Sequence, residues 1–205
     1  MTSSTTLPAS LGGLLEAPVV KAIEAALAPP LERRAAVTFE VELEAPDGTF
    51  TVRYDKGVVT TKKGFAKKPL LSVRADKGGL ALARDQLQAA IDGFQSAPEL
   101  KRRVDAAKRL DPNVAAAAHA AVLKLAEGTC IHFDVTGEGR FAVARGAIDE
   151  ADRELTIVLA GAAVRGLLAG AAPASATATL KGDRSVGTAV LAALAPVQRA
   201  IAGLS

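Results

Sequence analysis

The chain has 205 residues, enough to bury a substantial core in one domain or in two small ones. Hydrophobic residues make up 49% and charged residues 23%, as in ordinary globular proteins, whereas aromatic residues make up only 3% and the net charge is +3. So few rings exclude base stacking as the main binding mode, and we expect no nucleic-acid partner. The single cysteine, Cys130, excludes an internal disulfide and a structural zinc site.

The N-terminal segment "MTSSTTLPAS", residues 1–10, is small and polar, which predicts a disordered tail. No positively charged start is followed by an apolar core, so we expect no signal peptide. No apolar run reaches the roughly 20 residues that a membrane-spanning helix needs. These features together predict a soluble, cytoplasmic protein.

The first half of the chain predicts a helix, a β-hairpin, two further strands and more helices. Apolar residues recur every four positions over 11–28, the spacing of one helix face. Residues 37–54 alternate between apolar and polar side chains around the turn "APDG", which indicates a hairpin with one buried face. The segments "VVTTKK" and "LLSVRA" predict strands, and helical spacing returns in "GGLALARDQLQAAIDGF" and in two later stretches.

After Gly128 the same order of elements returns. We predict a hairpin in "CIHFDVTGEGRFAVARG", a strand in "RELTIVLAG", a short helix, a strand in "ATATLKG" and a helix over 184–203. The segment "VTFEVEL" matches "IHFDVTG", and "GTFTVRYDKG" matches "GRFAVARGAI". The chain is therefore predicted to contain one pattern twice.

The second half resembles the sterol carrier protein 2 (SCP2-like) family. Three segments carry the resemblance: "IHFDVTGEGRFAVARG", "DRELTIVLAGAAVRGLLAG" and "PASATATLKGDRSVGTAVLAAL". They are similar in order to the family's hairpin, its strand leading into a helix and its closing strand, although Phe141 stands where many members have tryptophan. The first half resembles the family more weakly, because the charged segment "QSAPELKRRVDAAKRL" stands where a closing strand is expected.

The resemblance implies an α+β fold with a curved, mostly antiparallel sheet covered by helices, duplicated as residues 11–110 and 111–205. It also implies non-enzymatic binding of a lipid, such as a fatty acid, an acyl-CoA or a sterol-like molecule, in an apolar tunnel between sheet and helices, without a cofactor. The alternative is a structural module whose pocket is filled by its own side chains, and which scaffolds a partner protein or self-associates into a homo-oligomer.

The bulky apolar residues of the predicted strands and helices form the expected lining of the tunnel, and they also form the predicted core. In the second half they are Phe133, Phe141, Leu155, Ile157, Leu167, Leu168, Leu180, Leu191 and Leu194. In the first half they are Phe39, Phe50, Tyr54, Val73, Leu87, Ile91 and Phe94.

The segment "KGDRSVG", residues 181–187, joins a predicted strand to a predicted helix and allows two interpretations. Backbone N–H groups at a helix start, beside Lys181 and Arg184, would suit an anion. The phosphate-binding P-loop pattern is absent, however, and Asp183 or Ser185 can accept the first N–H groups of the helix. We favour the helix cap, because an aspartate also repels phosphate.

His119, His132 and Cys130 are the residues closest in type to a catalytic or metal site. Neither histidine has a ligand-type partner at helical spacing. Strand alternation is expected to keep the side chains of Cys130 and His132 apart. We therefore predict no catalytic residue, no metal site and no enzymatic activity.

Two basic clusters could meet an anionic surface. Lys62, Lys63, Lys67 and Lys68 surround Phe65 and would contact anionic membrane headgroups weakly. The second cluster, within residues 101–109, is balanced by neighbouring acidic residues. For both we favour a solvated surface over a binding site.

Overall fold

The computed structural model describes residues 6–18, 21, 37–93, 119–162, 164, 178–190 and 192. The fold is mixed α/β, with one eight-stranded sheet among these residues. The strands are β1 (Thr38–Ala45), β2 (Gly48–Asp55), β3 (Val58–Lys63), β4 (Leu71–Ala75), β5 (Thr129–Thr136), β6 (Gly139–Arg145), β7 (Arg153–Ala160) and β8 (Ala178–Gly182). The helices are α1 (Leu11–Glu16), α2 (Lys77–Gly93) and a 3-10 turn (Ile148–Glu150), and residues 184–190 are also helical.

The strands lie in the order β3-β2-β1-β4-β6-β5-β7-β8. β1 and β4 are parallel, as are β5 and β7, while every other neighbouring pair in this sheet is antiparallel. The predictions of a mostly antiparallel sheet and of the hairpins β1–β2 and β5–β6 are confirmed, and β2 and β3 form a further hairpin. Both halves of the chain contribute to this one sheet, since β4 pairs with β6.

The first strand of each predicted hairpin also pairs in parallel with a later strand. Val41 of β1 lies between Val52 of β2 and Leu71 of β4. Ile131 of β5 lies between Val143 of β6 and Leu155 of β7. Val41 and Ile131 each lie four residues before the last paired residue of their hairpin strand, whereas the matched segments align Val41 with Val135.

One edge of β4 is closed by a strand from the second half. In the antiparallel β4–β6 pair, Val73 faces Val143. The equivalent place beside β7 is taken by β8, where Leu180 faces Ile157. β6 is therefore both the hairpin partner of β5 and the closing strand of β4, and the first half shares a strand with the second.

One face of the sheet is apolar across most of its width. Residues that pair directly share a face, and the pairing continues from Leu43 through Val73, Val143 and Ile131 to Leu155. Their neighbours in sequence point to the other face, which carries charged side chains on β1 and β4. The apolar face is the one against which the helices pack.

The helices cover this face in two clusters. Leu14 of α1 and Leu80 of α2 are buried against Ala45, while Val186 is buried against Ile131 and Leu155 at the other end. Within residues 1–10, predicted to be a disordered tail, residues 6–10 are described; Leu7 is buried and its N–H donates to Gln88 Oε1 at 2.9 Å. In the part of the chain that the structure describes, no helix has the length and apolar character needed to cross a membrane.

The start of α2 lies directly on the β5–β6 turn, backbone against backbone. A Cβ on Gly78 would overlap the carbonyl oxygen of Glu138, and a Cβ on Gly139 would overlap the backbone of Gly79. The glycines of "KGGL" therefore allow a contact between the two halves that no larger residue permits.

Candidate ligand-binding cavity

A cavity of about 230 Å³ lies between the apolar face of the sheet and the helices. Its walls come from β4, β5 and β6, from the segment 119–125 and from the helix at 184–190. The main side chains are Leu71, Val122, Leu125, Ile131, Phe133, Val143 and Val190. Apolar cavities of only about 150 Å³ already bind small hydrocarbons such as benzene, so this apolar cavity has room for part of an alkyl chain.

Two polar residues interrupt the apolar wall, Thr129 and Arg145. Thr129 is buried. Arg145 lies on the same face of β6 as Phe141 and Val143, and its Nη1 donates to the carbonyl oxygen of Leu70 at 3.2 Å. Its Nε is buried and has no hydrogen-bond partner among the described residues.

Of the predicted lining in the second half, Phe133 contributes to the apolar cavity. Phe141 stacks on Phe133 with ring centroids 4.7 Å apart. Leu155 is fully buried in the core and Ile157 packs against the same cluster, whereas Leu180 is 42% exposed on the edge strand β8. Four predicted residues lie outside the described part of the chain: Leu167, Leu168, Leu191 and Leu194.

The predicted lining of the first half lies in other places. Phe39 stacks between Tyr54 and His119, with ring centroids 5.1 and 5.5 Å away. Phe50 lies against α1, Val73 is half-buried within the sheet, and Leu87 packs on the Leu80 cluster. Phe94 and the side chain of Ile91 lie outside what the structure describes.

Most of the residues that line the apolar cavity were not predicted from the sequence. Ile131 and Val143 share a face and a strand with Phe133 and Phe141, so strand alternation could have found them. Val122 and Leu125 come from the alanine-rich segment "NVAAAAHAAVLKLAEG", for which a helix but no apolar face was predicted. Arg145 carried a signal as well, because it is a charged residue at an apolar position of the β6 alternation.

A larger groove of about 810 Å³ adjoins β1. Glu40, Glu42 and Glu44 line this β1 groove together with residues 65–70, and Arg145 lines both the groove and the apolar cavity.

Charges bordering the β1 groove are partly paired. Arg74 Nε lies 2.6 Å from Glu44 Oε2, and Arg74 Nη1 lies 2.9 Å from Asp149 Oδ1. The hydrogen bonds to Asp149 raise the pKa of Arg74, and those same bonds lower the pKa of Asp149. Because β4 carries Arg74 and the 3-10 turn carries Asp149, the pair of Arg74 with Asp149 also joins the two halves.

Cys130 and His132 do meet, so the prediction that alternation keeps them apart is wrong. They are two positions apart on β5, which places them on the same face, with Sγ and Nε2 3.4 Å apart. Glu154 Oε2 lies 3.6 Å from the same Nε2. Burial raises the pKa of the Cys130 thiol to about 11. Because thiol and carboxylate approach one ring nitrogen, the trio lacks the relay geometry of nucleophile, base and orienting acid.

The "KGDRSVG" segment is a helix cap, as predicted. The backbone N–H of Ser185 donates to Asp183 Oδ1 at 2.9 Å, at the start of the helix at 184–190. Hydrogen bonds from the side chain and backbone of Ser185 lower the pKa of Asp183. Among the described residues, no group of three or more His, Cys, Asp and Glu side chains is placed to hold a metal ion.

The loop at 62–68, which we call the lysine loop, projects from the end of β3. Phe65 is 74% exposed, and the four lysines around it are also exposed. The base of the loop is held by Thr51, whose hydroxyl donates to the Gly64 carbonyl at 2.8 Å, and by Glu42, which accepts the N–H of Ala66 at 3.0 Å. The second basic cluster, residues 101–109, lies outside the described residues.

Comparisons with models of protein families, with curated proteins and with solved structures found no significant match to this chain. The chain's own geometry is therefore the basis for inferring its function. Three features bear on that inference: the apolar cavity, the guanidinium of Arg145 in its wall, and the lysine loop.

Proposed function

We propose that the protein binds a lipid without catalysing a reaction, with the alkyl chain in the apolar cavity. The cavity itself carries this proposal, because its walls are almost wholly apolar over a volume of about 230 Å³. An alkyl chain that enters this space would be stabilised by about 0.8 kcal/mol per buried methylene.

The repeated pattern of strand pairing supports a second part of the proposal, that the chain consists of two SCP2-like halves sharing one sheet. In each half the first hairpin strand pairs in parallel with a later strand, β4 or β7, and that strand is closed by an antiparallel neighbour. The resemblance implies a lipid between sheet and helices. The apolar cavity occupies that position.

The lysine loop is the surface through which such a carrier would meet an anionic membrane. A phenylalanine as exposed as Phe65 gains from insertion among headgroups, and each nearby lysine adds about 1 kcal/mol at an anionic surface. Phe65, Lys67 and Lys68 also line the β1 groove, which shares Arg145 with the cavity. The membrane contact would thus lie beside the lipid site.

A fluorescent fatty acid tests the lipid proposal. We expect saturable binding with an emission shift that reports an apolar environment, and displacement by unlabelled fatty acid. Native mass spectrometry of the purified protein should show co-purified lipid. An absence of saturable binding in protein that unfolds cooperatively would overturn the proposal.

Vesicle co-sedimentation tests the membrane contact. The protein should bind phosphatidylcholine vesicles that contain phosphatidylserine more strongly than vesicles without it. Phe65→Ser should reduce that binding, whereas Leu123→Ser, which changes another exposed apolar residue, should not. Equal binding of both variants to both kinds of vesicle would contradict the assignment.

One observation favours a second candidate, self-association through a sheet edge. β8 is the last strand in the described sheet, and all five of its residues are exposed. An exposed edge strand is a template for pairing with another chain. If the protein self-associates through β8, sedimentation velocity over a range of concentrations should show a dimer. A monomer at every concentration would exclude self-association.

A further inference from the structure

Arg145 is a charged residue in an apolar row. It follows Phe141 and Val143 on one face of β6, and it faces Leu71 across the β4–β6 pair. Hydrophobic residues surround the rest of the apolar cavity, with Thr129 as the other polar side chain in the described wall. Among the ion pairs formed between described residues, none includes Arg145.

The hydrogen bonding of this guanidinium is incomplete. Nη1 donates to the carbonyl oxygen of Leu70, but Nε is buried without an acceptor in the part of the chain that the structure describes. A buried donor without a partner is costly, and guanidinium groups remain charged in proteins. A carboxylate offers two coplanar oxygens and a negative charge, so it can balance the charge of this guanidinium.

We propose that Arg145 makes the site selective for acidic lipids, in which a single alkyl chain ends in a carboxylate. This inference rests on the lipid-binding function proposed above. The chain would occupy the apolar cavity while the carboxylate meets Arg145, which lines both the cavity and the β1 groove. Neutral lipids of the same length would fill the cavity but leave the guanidinium without an anion.

Displacement of Nile red, a neutral apolar dye, by decanoic acid and by decanol tests this selectivity. The wild-type protein should bind decanoate more tightly than decanol. Arg145→Met should weaken decanoate about tenfold to a hundredfold, as expected for a lost charge-assisted hydrogen bond, and should change decanol by less than about threefold. Arg145→Lys should restore part of the decanoate affinity, because it restores the charge without the planar donor.

Arg140→Met is the matched control, since it removes the same charge from the same strand but from the opposite face. It should leave both affinities unchanged. Equal binding of decanoate and decanol to the wild type, unchanged in Arg145→Met, would overturn the role of Arg145 and leave the lipid site standing. Binding of neither ligand would instead overturn the proposed function itself. If Arg145→Met does not fold, the wild-type ratio and Arg145→Lys decide the question.

Discussion

The carboxylate of Asp76 accepts the backbone N–H of Arg140 at 3.0 Å, and the N–H of Asp76 donates to the carbonyl oxygen of Arg140 at 3.0 Å. The same carboxylate oxygen accepts the N–H of Gly79 at 2.7 Å, in the first turn of α2. Asp76 thus caps a helix of the first half and holds a strand of the second. Its partial burial acts to raise its pKa, but the N–H donors outweigh burial and lower it.

Asp76→Ala should destabilise the protein by about 1 kcal/mol near neutral pH, because α2 loses its cap. The folded pKa of Asp76 lies below the ordinary value of about 3.9, so its stabilisation is present above that value and is lost as the pH falls through the folded pKa. The difference in the free energy of unfolding between wild type and Asp76→Ala, measured by urea denaturation, should therefore decrease at acidic pH. Asp85→Ala, which removes an exposed carboxylate from α2, is the control. A difference in unfolding free energy that stays constant with pH would contradict the capping role of the Asp76 carboxylate.

Gly78→Ala should destabilise the fold by about 1–3 kcal/mol, because the added Cβ overlaps the Glu138 carbonyl and forces the backbones apart. The sign of this stability change is informative, because replacing glycine by alanine within a helix ordinarily stabilises a protein by about 0.5–1 kcal/mol. Chemical denaturation measures the difference. Lys77→Ala, at the exposed neighbouring position, should have little effect. Increased stability of Gly78→Ala would show that the two backbones do not pack this closely.

A fragment of residues 1–110 should be aggregated or molten. It keeps β4 but lacks β6, so the edge of β4 and part of the apolar face lose their cover. Thermal unfolding followed by circular dichroism, together with binding of a hydrophobic dye, gives the measurement. A cooperative transition in this fragment would mean that the first half has its own closing element.

Val122→Trp should abolish binding of the fluorescent fatty acid with little change in the free energy of unfolding, because the ring fills space that a ligand would use. Leu155→Trp is the comparison, since Leu155 is fully buried in the core and should lose about 1–3 kcal/mol on overpacking. Binding isotherms and urea denaturation of both variants distinguish an open cavity at Val122 from the filled core at Leu155. Strong destabilisation by Val122→Trp as well would mean that the cavity is solid core.

Cys130 should react slowly with thiol reagents in the native protein and rapidly in urea. Its side chain is buried, and burial raises its pKa to about 11, so little thiolate exists at neutral pH. His132→Ala should leave native labelling slow, because burial rather than the imidazole sets the reactivity. Rapid labelling of the native protein would point to an accessible nucleophile and would favour an enzymatic role.

Local patterns in the sequence determined the strands, the hairpins and the helix cap. Alternation of apolar and polar residues defined the hairpin strands around "APDG" and "TGEG". Asp183 stands just before an apolar stretch with helical spacing, which was enough to predict the helix cap that its hydrogen bond with Ser185 forms. These features involve residues close together in the chain, so their physics can be read from spacing alone. The contact of Cys130 with His132 is equally local, and a correct count of two positions would have predicted it.

Only the tertiary structure decided which strands became neighbours and where space remained. An open strand edge can pair with any strand that reaches it, so nothing local shows that β6 closes β4. The space left in the core depends on packing between distant segments, because Phe133, which stacks on Phe141, lines the apolar cavity together with smaller side chains such as Val122 and Val143. The hydrogen bonding of Arg145 Nε, which has no acceptor among the described residues, was also decided by the tertiary structure. The partners of a buried donor come from segments distant in the chain, so local sequence does not predict them.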